Sequence, residues 1–330
     1  MAEFKVAVTD YVFPDLDSER ATLAENNAEL VIAQCESVDD VISIARDADV
    51  ILNTYFRPLN SQTFSELTKC KAVIRYGIGV DSIDIESATQ HGIMVANVPD
   101  YCCEEVSDHT VASMLSLLRK LPLSDKRIRQ GEWSLSYLKP MSRIREMTVG
   151  IIGMGRIGRL SAMKLSVFGV KIVFADPNVS EEDVKDENLN LKKVSLDELA
   201  KVSDAILLHA PANPKTYHLL NSEYFKKMQR RPIIVNCARG SLIDTEALIE
   251  ALSNEQISGA ALDVIEGVPP FDPNNRLAEF ENVIFSPHSA WYSEDALVDL
   301  RKLALDEVLR VLKGQKPKSL LNPGVLSNNN

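Results

Sequence analysis

The 330-residue sequence has no uninterrupted apolar run approaching the roughly 20 residues that a membrane-spanning helix needs. No apolar leader follows Met1, so neither a membrane partner nor secretion is expected, and the expected compartment is the cytoplasm. Cysteine is scarce. Cys35, Cys70, Cys102, Cys103 and Cys237 form an odd set without metal-ligand spacing, which argues against a disulfide framework and leaves no metal to expect. Positive charge is in deficit: a formal net charge of −11 repels phosphate backbones and anionic headgroups, so direct nucleic-acid binding is not expected. Internal repeats of solenoid type are also lacking.

What remains is an ordinary globular balance, with 45% hydrophobic and 25% charged residues, too apolar for a disordered chain. The length exceeds one ordinary core and fits two domains. Over the first hundred residues, short β-branched runs (Lys5–Thr9, Glu29–Ala33, Asp49–Thr54, Lys71–Tyr76, Ile93–Val98) alternate with helical stretches such as Asp39–Ala45 and Gln62–Thr68, the pattern of a parallel α/β sheet. A long helix is predicted from Glu104 to Arg119, with Val106, Val111, Met114, Leu117 and Leu118 on one face. Further runs at Thr148–Ile152, Lys171–Ala175, Ala205–His209, Pro232–Cys237, Gly259–Val264 and Asn282–Ser286 predict a doubly wound sheet. A helix over Ser293–Lys313 follows, then an irregular end at Pro317–Leu326, with Asn328–Asn330 expected to be disordered.

The run Thr148–Ile152 leads into Gly153-Met154-Gly155-Arg156-Ile157-Gly158, a G-x-G-x-x-G pattern that opens a helix containing Leu160, Met163, Leu165 and Phe168. In that setting Gly153 allows the tight turn, Gly155 clears the approach of a pyrophosphate, and Gly158 lets helix and strand pack closely. Asp176 ends the next strand, 18 residues past the last glycine. A carboxylate there accepts hydrogen bonds from ribose hydroxyls and repels a 2′-phosphate, so NAD is expected over NADP. The alternative is a turn residue before Pro177.

Later motifs resemble the D-isomer-specific 2-hydroxyacid dehydrogenase family over nearly the whole chain. The segment Val235-Asn236-Cys237-Ala238-Arg239-Gly240 resembles the family's arginine segment, and Ser286-Pro287-His288-Ser289-Ala290 its histidine segment; the continuation Trp291-Tyr292-Ser293 is similar to the C-terminal-binding-protein branch. The resemblance implies two Rossmann/flavodoxin-like α/β domains, the NAD-binding domain (100–292) inserted into a substrate domain formed by 1–99 and 293–330. It implies Arg239 and His288 as catalytic residues. Arginine suits bidentate binding of a 2-oxo acid and stabilisation of the developing alkoxide. Histidine, with an unperturbed pKa of about 6.5, can give or take the proton. Cys237, Ala238, Asp263 and the turn His209-Ala210-Pro211 are implied to line the cofactor, Asp263 at its nicotinamide end or else as a plain strand-end turn residue. Arg75-Tyr76-Gly77-Ile78-Gly79 resembles the substrate loop, with Arg75, Gly77, Ile78 and Gly79 as substrate contacts; Trp291 is implied to shape an apolar pocket, where an isolated tryptophan would otherwise be core.

One departure stands out. The family's glutamate, five residues after the aspartate and a partner of the catalytic histidine, is replaced by Val268. Loss of that charge partner disfavours imidazolium, so reduction is expected to weaken or to shift its optimum to lower pH. Glu266 is a substitute only if its loop bends differently; otherwise it is a solvated acid. Two functions therefore compete: an NADH-dependent enzyme acting on a small 2-oxo or 2-hydroxy acid, and an NAD(H)-sensing, corepressor-like binding protein with little turnover. The two lobes imply hinge closure over substrate, with crossings near Pro99–Asp100 and Trp291–Ser293. The family also implies a homodimer through the NAD domain around Leu121–Leu138. The substrate side chain depends on the packing of Tyr55, Arg57, Tyr101 and Trp291.

Overall fold

A computed structural model describes residues 2–55, 59–185, 189 and 191–327. Arg57 and the Asn328–Asn330 tip lie outside the described residues. The chain divides into two compact units, Met1–Cys102 with Ser293–Asn330, and Cys103–Tyr292. No helix among the described residues is long and apolar enough to cross a membrane.

The first unit is built on five parallel strands, β1 (Phe4–Val8), β2 (Ala28–Ile32), β3 (Val50–Asn53), β4 (Ala72–Arg75) and β5 (Met94–Ala96), in the order β2-β1-β3-β4-β5. Strands covered on both faces need continuous apolar runs; Val6, Ala7, Val8, Val50, Ile51, Leu52, Val73 and Ile74 are all fully buried. The strand order reverses between β1 and β3, a position where flavodoxin-like sheets place ligand-binding loops. Asp10 sits there, just past β1, and its carboxylate accepts from Asn53 Nδ2 (2.8 Å), Thr54 N (3.0 Å) and Tyr55 N (2.6 Å). The loop leaving β3 is thereby pinned to the end of β1.

The helix Glu294–Leu312 completes this unit. Ser293 caps it by accepting from Ala296 N (2.9 Å), and Leu300, Ala304 and Val308 are buried. Arg301 on this helix donates twice to Glu19 (2.8 and 2.6 Å), which is fully buried on the helix Asp17–Glu25. The guanidinium also covers the Phe13 ring, whose centroid lies 4.9 Å from that of Tyr76 in an edge-to-face pair. Burial and the Glu19 charge push the Tyr76 phenol well above its ordinary pKa.

The second unit carries seven parallel strands, β6 (Thr148–Ile152), β7 (Lys171–Ala175), β8 (Leu191–Lys193), β9 (Ala205–Leu208), β10 (Ile233–Asn236), β11 (Gly259–Leu262) and β12 (Val283–Phe285), ordered β12-β11-β10-β9-β6-β7-β8. Alternate residues feed two cores, as the period of two requires. Ile152, Ile206, Leu208 and Ile234 face one cluster, while Val149, Ile151, Leu207, Ile233 and Val235 face the other. The second cluster includes Val111 and Met114 of the long helix Cys103–Leu118. The glycine-motif helix Arg156–Ser166 turns small residues inward, Gly158, Ser161 and Ala162 with Leu165, and leaves Met163 exposed.

Candidate active site

The sheet order of the second unit reverses between β6 and β9, and the glycine loop lies at that point. Gly153 has φ +94°, and a Cβ there would come within 2.6–2.7 Å of the His209–Ala210 backbone leaving β9. Only glycine permits both the turn and the approach. A Cβ on Gly158 would collide with the Gly153 carbonyl. Gly155 differs: the direction of its missing side chain opens on empty space, and the helix it begins has no side-chain cap. First-turn N–H groups and a cleared approach are what an anionic pyrophosphate requires, so the loop fits a dinucleotide. Met154 is buried, Arg156 exposed and Ile157 half-buried.

Asp176 accepts from Met154 N (2.8 Å) and Asn178 N (2.8 Å), tying the end of β7 to the glycine loop; an ionised carboxylate has further lone pairs for hydroxyl donors. His209 Nε2 lies 3.0 Å from Ser161 Oγ, and burial lowers this imidazole to about 4, so it is neutral at physiological pH. Ala210 beside it is buried and Pro211 is exposed.

Three adjacent strands then present side chains from one edge of the sheet. At the end of β10, the fully buried Asn236 accepts from Ala238 N (3.1 Å) and donates to Arg239 O (2.9 Å), folding Cys237, Ala238 and Arg239 into a turn. Arg239 is half-buried and donates to Ala238 O (2.7 Å). The Cys237 thiol is pushed up to about 12 by burial, which keeps it protonated and unreactive at neutral pH. Gly240 follows, where a Cβ would meet Glu266 N at 2.5 Å, so the arginine turn lies directly on the loop after β11.

Past β11, Asp263 is 3% exposed. Its carboxylate accepts from Ser286 Oγ (2.6 Å), Ser289 N (2.9 Å) and Ala290 N (3.0 Å), while its carbonyl accepts from His288 N (2.9 Å). His288, past β12, is exposed and has φ +52°, in the left-handed region that is uncommon and costly for a non-glycine residue. Asp263 holds it there. The resemblance assigns this aspartate to the nicotinamide end of the cofactor; its carboxylate also shapes the histidine loop. His109 Nε2 joins the cluster, 2.9 Å from Ser286 Oγ and 3.9 Å from Asp263 Oδ1. Trp291 is half-buried, edge-to-face with Tyr292 at 5.6 Å.

Glu266, expected in the sequence to be a solvated loop acid unless its loop bends, is half-buried and paired. Its Oε2 is 2.8 Å from His218 Nε2, and His218 stacks on Tyr217 at 3.9 Å between ring centroids. A Cβ on Gly240 would strike the Ile265–Glu266 backbone, and Gly267 has φ +73°, so both glycines are needed where this loop passes the arginine turn.

In the first unit, Arg75 is nearly buried, with its guanidinium 4.9 Å from the Tyr55 ring centroid and against Gly77, whose φ is +143°. Asn97 donates to Ile78 O (2.6 Å), fixing the Gly77–Gly79 turn; Ile78 and Gly79 are half-buried. Tyr101 is buried and its phenol is pushed up by desolvation. His109 and Asp10 fall in no recognised motif, and their partners are distant in the chain; Asn236 lies within the arginine segment, and a polar residue at the end of an apolar strand was the available signal for Asn236 and Asp10.

Residues 111–290 match the model of the D-isomer specific 2-hydroxyacid dehydrogenase NAD binding domain. The chain belongs to that family. Relatives of this dehydrogenase-family chain include a glyoxylate reductase of Thermofilum pendens, 36% identical over 88% of this chain and 86% of that protein. A D-3-phosphoglycerate dehydrogenase of Methanocaldococcus jannaschii is 34% identical over 96% of this chain, which spans 59% of that longer protein. Among solved structures, a D-lactate dehydrogenase from Aquifex aeolicus complexed with NAD and lactic acid aligns with TM-score 0.84 and 29% identity, covering 98% of both chains.

Proposed function

We propose that this protein interconverts a small 2-oxo acid and the matching D-2-hydroxy acid with NAD(H). The observation that carries the reading is the convergence of Arg239, Asp263 and His288 past the carboxyl ends of three neighbouring strands of the NAD-binding unit, β10, β11 and β12. When bound, NADH supplies the hydride. Arg239 holds the substrate carboxylate and places positive charge where the carbonyl oxygen becomes an alkoxide. His288 gives that oxygen its proton in reduction and takes it back in oxidation. Gly153, Gly155 and Gly158 with Met154, Arg156 and Ile157 receive the pyrophosphate, Asp176 the adenosine ribose, and His209–Pro211 and Cys237–Ala238 line the cofactor. Arg75, the Gly77–Gly79 turn and Trp291 contact substrate. The names of the relatives make glyoxylate, pyruvate and 3-phosphohydroxypyruvate the first acids to try.

One observation favours the cofactor-sensing reading: the family's glutamate position holds the apolar Val268, and Glu266 is engaged with His218. A homodimer through the NAD-binding unit is supported by the helix Leu121–Arg129, none of whose residues is buried, and by Trp133, 89% exposed. The deciding experiment is steady-state oxidation of NADH against the three acids. Turnover supports the dehydrogenase; tight NADH binding without turnover supports the sensor.

A further inference from the structure

We infer that His109 is a positioning residue for His288, acting through Ser286 and Asp263. The hydrogen-bond direction follows from counting protons. Ser286 has one hydroxyl proton, and the 2.6 Å contact to the Asp263 carboxylate claims it. At 2.9 Å from His109, Ser286 Oγ is therefore the acceptor, and His109 carries its proton on Nε2. Donation runs one way, from His109 to Ser286 to Asp263. It ends on the carboxylate that receives the N–H groups of Ser289 and Ala290, the two residues after His288.

The source of this chain is a rigid element. His109 lies on the helix Cys103–Leu118, whose Val106, Thr110, Val111 and Met114 are buried. A ring fixed by a buried helix holds Ser286 more firmly than a water could, and a donor polarised by its own donor binds more strongly. His288 stands in a left-handed conformation that its own backbone disfavours, so its placement depends on the loop bonds that this chain supports. Weakening them lowers the fraction of molecules with the imidazole in place. That reduces turnover and leaves cofactor binding alone.

The kinetic half of this inference rests on the dehydrogenase reading; the structural half does not. In the full-length protein, His109→Leu removes the donor, His109→Gln keeps an N–H donor on a side chain of similar reach, and Ser286→Ala removes the middle link without touching the helix. Amide hydrogen exchange at Ser289 and Ala290 is read without substrate. His109→Leu and Ser286→Ala are expected to speed it about tenfold, the worth of one hydrogen bond, with His109→Gln close to the parent. With the best 2-oxo acid, kcat falls by a similar factor in the first two variants and recovers in the third, while NADH Kd and substrate KM hold. Unchanged exchange in Ser286→Ala, or equal acceleration in the Gln and Leu variants, overturns the inference. If exchange responds as expected and the parent turns over none of the acids, the dehydrogenase reading falls and the positioning role of His109 stands.

Discussion

Replacing Asp263 by asparagine separates two roles for this residue. The carboxylate receives three donors, Ser286 Oγ and Ser289 N on one oxygen and Ala290 N on the other. An amide has one acceptor and one donor end, so in either orientation an NH2 faces an N–H. A buried donor left unsatisfied costs roughly 1–3 kcal/mol, and holding a non-glycine residue left-handed costs roughly 1–2 kcal/mol. The loss is as large as the strain the clamp must overcome, so His288 leaves its place in most molecules. At about 1.4 kcal/mol per factor of ten, kcat for 2-oxo acid reduction is expected to fall about 10–100-fold. Steady-state kinetics give kcat and KM, and fluorescence titration gives the NADH Kd. A kcat within twofold of the parent refutes the clamp. A loss confined to NADH affinity refutes it as well, because that is the signature of a nicotinamide contact.

Three further outcomes are expected. Gly155→Val places a side chain in the open space before the helix, so NADH Kd should rise by roughly 30-fold, the worth of about 2 kcal/mol of charge-assisted hydrogen bonding, with no change in thermal midpoint. Arg301→Met leaves the Glu19 carboxylate buried without its guanidinium, a loss of about 3–5 kcal/mol that Glu19→Met in the same chain should largely reverse. Both tryptophans, Trp133 and Trp291, belong to the second unit, so urea unfolding should move by circular dichroism while the tryptophan signal stays; coincident shifts would contradict it. His209 binds its proton near 4 in the fold against 6.5 when exposed. The unfolded chain therefore holds the extra proton between those values, and stability should fall as pH drops from 6.5 toward 4, by about 3 kcal/mol in total. Chemical denaturation across that range should show the slope, and His209→Gln should lack it.

The sheet of the second unit was legible because its strands are uninterrupted apolar runs bounded by glycine or proline; Thr148–Ile152 and Lys171–Ala175 coincide with β6 and β7 residue for residue. β8 was not, since Leu191-Lys192-Lys193 is a half-exposed edge with one apolar residue. The helix Asp17–Glu25 escaped for a similar reason: Leu23 and the acid Glu19 are its buried residues, and a buried acid mimics a solvated face until Arg301, 282 residues away, is seen beside it. In the site, the glycine loop could be read because its function is local. The clamp on His288 could not, because it joins residues 109, 263 and 286 through contacts that only the fold creates. Glu266 shows the same limit: loop composition said that it could turn, and the turn chose His218.

The most direct test of the central claim is NADH oxidation with glyoxylate, pyruvate and 3-phosphohydroxypyruvate by the parent, Arg239→Ala and His288→Ala proteins, with NADH binding measured on all three. The account predicts turnover of at least one acid by the parent, its loss by at least 100-fold in both variants (roughly 3 kcal/mol of transition-state stabilisation), and NADH affinity retained. Parent turnover that survives either substitution, or firm NADH binding with no turnover of any acid, would contradict it.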